Sequence, residues 1–132
     1  MFVSKQYLKI DAEQKKKLQQ IPLEGETLFE ISAAMEQWLG AHTSYSLSPG
    51  KVPWGKEYVE YFLFENKKGY CAHYATAATL LFRSHDIPAR FVSGYLIGKE
   101  QWKTSDDGTY QVTVTGADAH AWTEIYTGDG IW

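Results

Sequence analysis

The 132-residue chain has the length of one domain, and its 44% apolar, 15% aromatic and 22% charged composition is that of a globular protein, excluding disordered and fibrous classes. A net charge of -3 and a pI near 5.8 provide no basic field for a phosphate backbone, so no nucleic-acid partner is expected. Cys71 is the only cysteine, which excludes an intramolecular disulfide and a structural zinc cluster of several thiolates.

At the start, Met1-Phe2-Val3-Ser4-Lys5 lacks the basic-then-apolar order of a signal peptide. No run approaches the roughly 20 apolar residues that span a bilayer, so a soluble chain is expected. Asp11 with Gln14, and Thr27 with Glu30, each fit a capping box and predict two early helices. Lys15-Lys16-Lys17 reads as a solvated face of the first. In the second, Leu28, Ile31, Met35, Trp38 and Leu39 form an apolar stripe at helical spacing, with Gly40 as its expected left-handed stop. Pro49, Gly50, Pro53 and Gly55 then break regular structure, and Tyr58 to Phe64 reads as a short aromatic-rich helix.

From Tyr70 to about His85 the chain is predicted helical, with Cys71, Ala75, Ala78 and Phe82 on one side and Gly69 allowing a sharp turn into it. Pro88 ends that helix. Arg90 to Ile97, Tyr110 to Thr115 and His120 to Tyr126 read as strands of an antiparallel sheet, with Ser105 to Gly108 as a turn. Thr127 to Gly130 reads as a further turn and Ile131-Trp132 as the beginning of a strand, so the chain is expected to stop mid-domain. The order is α+β: one domain, helical over about 1–65, with a helix-plus-sheet catalytic part over about 66–132.

Cys71 sits where a thiol can be activated. A free thiol titrates near pH 8.5, and the first turn of a helix, with its unpaired amides and dipole, favours the thiolate. The Cys71 backbone amide can face a developing oxyanion, a role in which one donor is worth about 3 kcal/mol. His120 is the expected acid/base partner, because it opens an alternating strand that holds an imidazole rigidly. His73 points about 200° away from Cys71 on the helix and is rejected as the base. His42 and His85 read as helix-end caps. A Cys-x-His pair on a helix diverges, so no metal is expected, and the chemistry requires no cofactor.

Tyr61-Phe62-Leu63-Phe64, Lys68-Gly69-Tyr70-Cys71, Ile87-Pro88-Ala89-Arg90, Gly94-Tyr95 and His120-Ala121-Trp122-Thr123-Glu124 follow one another in an order and spacing that resemble the bacterial transglutaminase-like superfamily core, from about Ser44 to Trp132. The resemblance implies a papain-like catalytic core with a Cys-His-Asp triad, the nucleophile on Cys71 and the histidine on His120. It implies thiol-dependent acyl transfer or amide hydrolysis through a thioester, on a protein or peptide substrate presenting a glutamine-type carboxamide or a peptide amide. Tyr45 and Trp122 become cleft candidates, Tyr45 as a second oxyanion donor.

Asp86 stands where that family usually has glycine, and the orienting aspartate is expected beyond Trp132, so the third triad acid is absent from this chain and a weak or silent fragment is expected. Asp118 and Glu124 lie along the strand at multiples of roughly 7 Å from His120, out of hydrogen-bond reach. Arg90 is expected to form a salt bridge in the sheet, Tyr95 to pack, and Gly94 to admit a close neighbour. The alternative reading is a catalytically silent binding or scaffold module of a larger membrane-anchored protein; by resemblance the chain is the extracytoplasmic part of such a protein.

Overall fold

In a computed structural model of the chain, residues 2–95, 103–104, 108–112, 119–128 and 130–132 are described. The helical half holds α1 (Phe2–Tyr7), α2 (Ala12–Gln19) and α3 (Leu28–His42). Asp11 caps α2 by accepting from the N–H groups of Glu13 and Gln14 at 3.2 and 3.1 Å, but Gln14 is buried and does not reach back. At α3 the box is complete: Thr27 Oγ1 accepts from Glu30 N–H, and Glu30 Oε2 accepts from Thr27 N–H. Met35 and Leu39 of the predicted stripe are buried, with Leu28, Ile31 and Trp38 packed against them.

Gly40 does not stop α3. The helix continues to His42, and Thr43 ends it by turning both its backbone N–H (2.9 Å) and its hydroxyl (2.6 Å) onto the Leu39 carbonyl. The lysines are also less free than expected, since Lys15 pairs with Asp86 at 2.8 Å and Lys17 with Glu60 at 2.6 Å.

β1 (Ser44–Tyr45) follows, and the expected helix at Tyr58 to Phe64 divides into a single α turn, α4 (Tyr58–Glu60), and a π-helical segment (Tyr61–Asn66). The wider turn buries Phe62 and Leu63 side by side and closes at Lys67 in the left-handed region, φ 60°. β2 (Lys68–Gly69) pairs in parallel with β1, setting Tyr45 opposite Gly69 and beside the start of α5 (Cys71–Ser84).

Gly69 is required by crowding rather than by a turn. Its φ is not in the left-handed region, but a Cβ there would lie 2.5 Å from His73 Cβ and 2.8 Å from the Phe62 ring. At the other end of α5, Asp86 has φ 63°. This explains the glycine expected there, since among non-glycine residues Asp and Asn tolerate the left-handed region best.

α5 packs on α2, on β3 (Ala89–Tyr95) and on β6 (Ala119–Ile125), with Ala77, Leu81 and Phe82 in the core. β3 and β6 are antiparallel, pairing Arg90 with Glu124, Val92 with Trp122 and Gly94 with His120. Ala121, Thr123 and Ile125 form the row against α5: Thr123 Oγ1 donates to the Ala75 carbonyl at 2.7 Å. His120, Trp122 and Glu124 form the opposite row.

A short strand, β4 (Lys103–Thr104), pairs with β5 (Tyr110–Gln111). Ile97, residues 113–115, Ser105 and Asp118 lie outside the described residues. Tyr95 does not pack: exposure rises along its row from Ala89 (0%) through Phe91 (44%) to Tyr95 (59%) as β3 runs off α5. The final turn is closed by Thr127 N–H on the Ile131 carbonyl at 2.9 Å, and Trp132 folds back against Tyr7 and Tyr126. Among the described residues, no helix is long and apolar enough to cross a membrane.

Candidate functional site

Cys71 is the first residue of α5 and is half-exposed. The helix start is held by a local exchange in which His73 N–H donates to the Tyr70 carbonyl at 2.9 Å and Tyr70 N–H donates to His73 Nδ1 at 3.2 Å. The Cys71 and Ala72 amides have no acceptor among the described residues, as befits the first turn of a helix.

Accepting at Nδ1 places the His73 proton on Nε2. The ring is buried, stacked on Tyr58 at 4.9 Å and edge-on to Tyr70 at 4.5 Å, and burial pushes its pKa down, so it is a neutral packing element. It does not line the cleft described next, consistent with its rejection as a base.

Cys71 lies in a cleft of about 500 Å³ between α3, α5 and β6. Ala75, Ala78 and Phe82, the residues that share its helix face, continue along one wall, and Met35 and Leu39 of α3 form the other. His120, Tyr45 and Trp122 line the same cleft, so all four side chains singled out from the sequence meet in one place. The cleft takes residues from both rows of β6 and therefore runs along the edge of that strand away from β3.

Neither ring nitrogen of His120 is hydrogen-bonded to a described residue, and Cys71 Sγ makes no hydrogen bond to it. The imidazole stacks on Trp122, centroids 6.1 Å apart and planes 23° from parallel. Tyr45 is 61% exposed and stacks on Tyr74 at 6.2 Å, and Tyr74 in turn shares a 2.9 Å hydrogen bond with Thr43.

Glu124 is engaged elsewhere, with Arg90 Nε and Nη2 donating to its Oε1 at 2.8 and 2.6 Å and Trp122 Nε1 to its Oε2 at 3.3 Å. The Arg90 guanidinium holds the Glu124 carboxyl below the usual carboxylate range, with a smaller contribution from Trp122. Gly94 lies beneath the Trp122 ring, which would be 3.3 Å from a Cβ there.

Ser32, Glu36 and Tyr74 line the cleft and were not singled out from the sequence, and neither was Tyr58, which lies outside its lining. Tyr74 lines the cleft, and its i+3 spacing from Cys71 was a usable signal. Tyr58 is part-buried near the thiol; burial first, then Tyr70 and Cys71, raise its pKa, and nothing local to its sequence announces that position. His42 donates to the Trp38 carbonyl at 2.8 Å and His85 bonds the Ile21 carbonyl at 3.1 Å, so both serve helix ends or their neighbours. Among the described residues, no group of three or more His, Cys, Asp or Glu could hold a metal ion.

A half-exposed thiol at a helix start, an unpaired amide beside it, and an imidazole across an apolar cleft are the components of nucleophilic acyl chemistry. The chain is 36% identical over 109 residues to the uncharacterized protein YebA of Bacillus subtilis (strain 168), which covers 81% of this chain and 15% of that protein. It is 34% identical over 102 residues to a protein-glutamine gamma-glutamyltransferase of Pseudomonas aeruginosa, covering 77% of this chain and 14% of that protein.

The crystal structure of the periplasmic domain of TgpA from Pseudomonas aeruginosa superposes with a TM-score of 0.76 at 28% identity, over 98% of this chain and 44% of that one. The chain thus spans about a seventh of its curated relatives and under half of the solved domain. The fold is the mixed helix and strand arrangement of transglutaminase-like and papain-like cysteine enzymes. Residues 15–132 match the family model, a longer stretch than the sequence motifs alone cover, and the chain belongs to the transglutaminase-like superfamily.

Proposed function

We propose that this chain carries the nucleophile, Cys71, and its proton-transfer partner, His120, of a domain for thiol-dependent acyl transfer. The observation that carries this reading is that Cys71, at the first turn of α5 with its amide unbonded, and His120, on β6, line one cleft. An inert core thiol would be shut away, whereas Cys71 is half-exposed.

In the proposed reaction the thiol proton passes to His120 and Sγ bonds to the carbonyl carbon of a carboxamide. The Cys71 amide receives the oxyanion, joined by the Tyr45 hydroxyl at the cleft rim. Collapse breaks the C–N bond, His120 returns the proton to the departing ammonia or amine, and a thioester remains. Water then releases an acid, and an amine in its place gives a cross-link.

The relative named protein-glutamine gamma-glutamyltransferase supports a glutamine side chain in a protein as substrate, with hydrolysis proposed as the default outcome. The periplasmic relative supports a location outside the cytoplasmic membrane.

The test is alkylation of Cys71 by iodoacetamide over a pH series. Alkylation at neutral pH is expected to be faster than that of a free cysteine thiol, and His120→Ala to slow it. A rate equal to that of a free thiol, unmoved by His120→Ala, would remove the proposed activation.

A further inference from the structure

We propose that Glu124 is a positioning residue for His120 and acts through the Trp122 indole, with Arg90 as its anchor. This rests on the reading above that His120 moves protons for Cys71. Side chains at 120, 122 and 124 stand on one row of β6, spaced by roughly 7 Å, so Glu124 cannot touch the imidazole directly. It reaches the ring next to it instead: Glu124 Oε2 accepts from Trp122 Nε1 at 3.3 Å, and the indole stacks on His120 at 6.1 Å.

An indole N–H only donates, so this bond distinguishes one orientation of the ring from its flipped alternative. The other carboxylate oxygen is held by two guanidinium N–H groups of Arg90, directly opposite in the β3–β6 register, and Arg90 in turn lies 4.0 Å over the Trp132 ring.

Gly94, opposite His120 in the register, completes the arrangement. The space a side chain would occupy there is taken by the Trp122 ring, with Cη2 3.3 Å from the position of a Cβ. His120 has no hydrogen bond to a described residue, and the ring stacked on it is the Trp122 indole. Four residues of the outer row, Arg90, Glu124, Trp122 and Gly94, therefore converge on the angle of one imidazole.

The experiment follows the His120 ring-proton chemical shifts by NMR and the rate of Cys71 alkylation at neutral pH in parallel. The wild type is expected to show an upfield ring-current displacement of the His120 resonances. Glu124→Ala should remove at least half of that displacement and slow alkylation about tenfold, while Glu124→Gln, whose one amide oxygen can accept from the indole or from Arg90 but not from both, should fall between Glu124→Ala and wild type. Gly94→Ala, which pushes the indole without touching the ion pair, should move the same resonances.

In a Trp122→Ala background, adding Glu124→Ala should change neither readout further. Independent, multiplying losses in that double variant, or a folded Glu124→Ala with wild-type His120 shifts, would overturn the proposal. If the ring shifts respond as expected but wild-type Cys71 alkylates like a free thiol, the positioning stands and the catalytic reading fails; the reverse pattern separates them the other way.

Discussion

The two sides of the cleft are built on different principles. On the Cys71 side the helix start is clamped by the buried Gly69, Phe62 and His73 and by the rings around them: Gly69 against His73 Cβ, His73 against Tyr58 and Phe62, and Tyr70 N–H on His73 Nδ1. On the His120 side the described residues provide one stacked indole and a half-exposed ion pair. Dense apolar contact fixes a backbone and makes it costly to disturb, whereas partly solvated polar contacts orient a side chain at little cost in stability. Substitutions near Cys71 should therefore appear mainly as lost stability, and those near His120 mainly as altered reactivity.

The strongest way to break that comparison is Gly69→Ala. The new Cβ would sit 2.5 Å from a backbone-attached carbon of His73 and 2.8 Å from the Phe62 ring, and neither is the free end of a flexible chain. Overpacking of this kind costs about 3 kcal/mol. Urea denaturation should show a correspondingly lower midpoint, and an unchanged midpoint would show that the helix start is not clamped.

His73→Ala comes next, at about 2 kcal/mol, from the unpaired Tyr70 amide and the vacated aromatic contacts. The position also carries a pH signature. Burial lowers the His73 pKa in the fold, so the unfolded chain takes up the proton first. The stability His73 contributes is complete above its unfolded value, about 6.5, and is lost as pH falls through the lower folded value. His73→Asn, whose side-chain oxygen can replace Nδ1 as acceptor, should flatten the fall in urea midpoint between pH 7 and pH 5; an equally steep fall would assign it to other groups.

How much of this was legible in the sequence follows the same division. The Cys71 helix and its face were readable because a 3.6-residue period is local, and Cys71, Ala75, Ala78 and Phe82 do line one wall of the cleft. A salt bridge at Arg90 was expected from the sequence, but its partner Glu124 is set by the β3–β6 register, which the sequence does not display. Gly69 was singled out for the wrong reason, because its need arises from His73 and Phe62 meeting over it, a contact that only the tertiary fold creates. Gly40 misled in the opposite sense: a glycine with nothing within 4 Å of a would-be Cβ is tolerated inside a helix, and the stop came from the Thr43 hydroxyl. Tyr58 lies 13 positions before Cys71 in the sequence, and no spacing rule links them.

The smallest expected effect sharpens the comparison from the other side. Arg90→Lys keeps the charge facing Glu124 but loses the paired Nε and Nη2 donors on one oxygen and the flat guanidinium over Trp132. The Arg90 and Glu124 side chains are 35% and 31% exposed, so water and salt screen the pair, and the loss of stability should be well below those of the two substitutions above. Raising the salt concentration should shrink the difference between the two proteins further. A loss comparable to that of Gly69→Ala would mean that the β3–β6 outer row is a structural element in its own right, and the contrast between a clamped nucleophile and a lightly held imidazole would no longer describe this cleft.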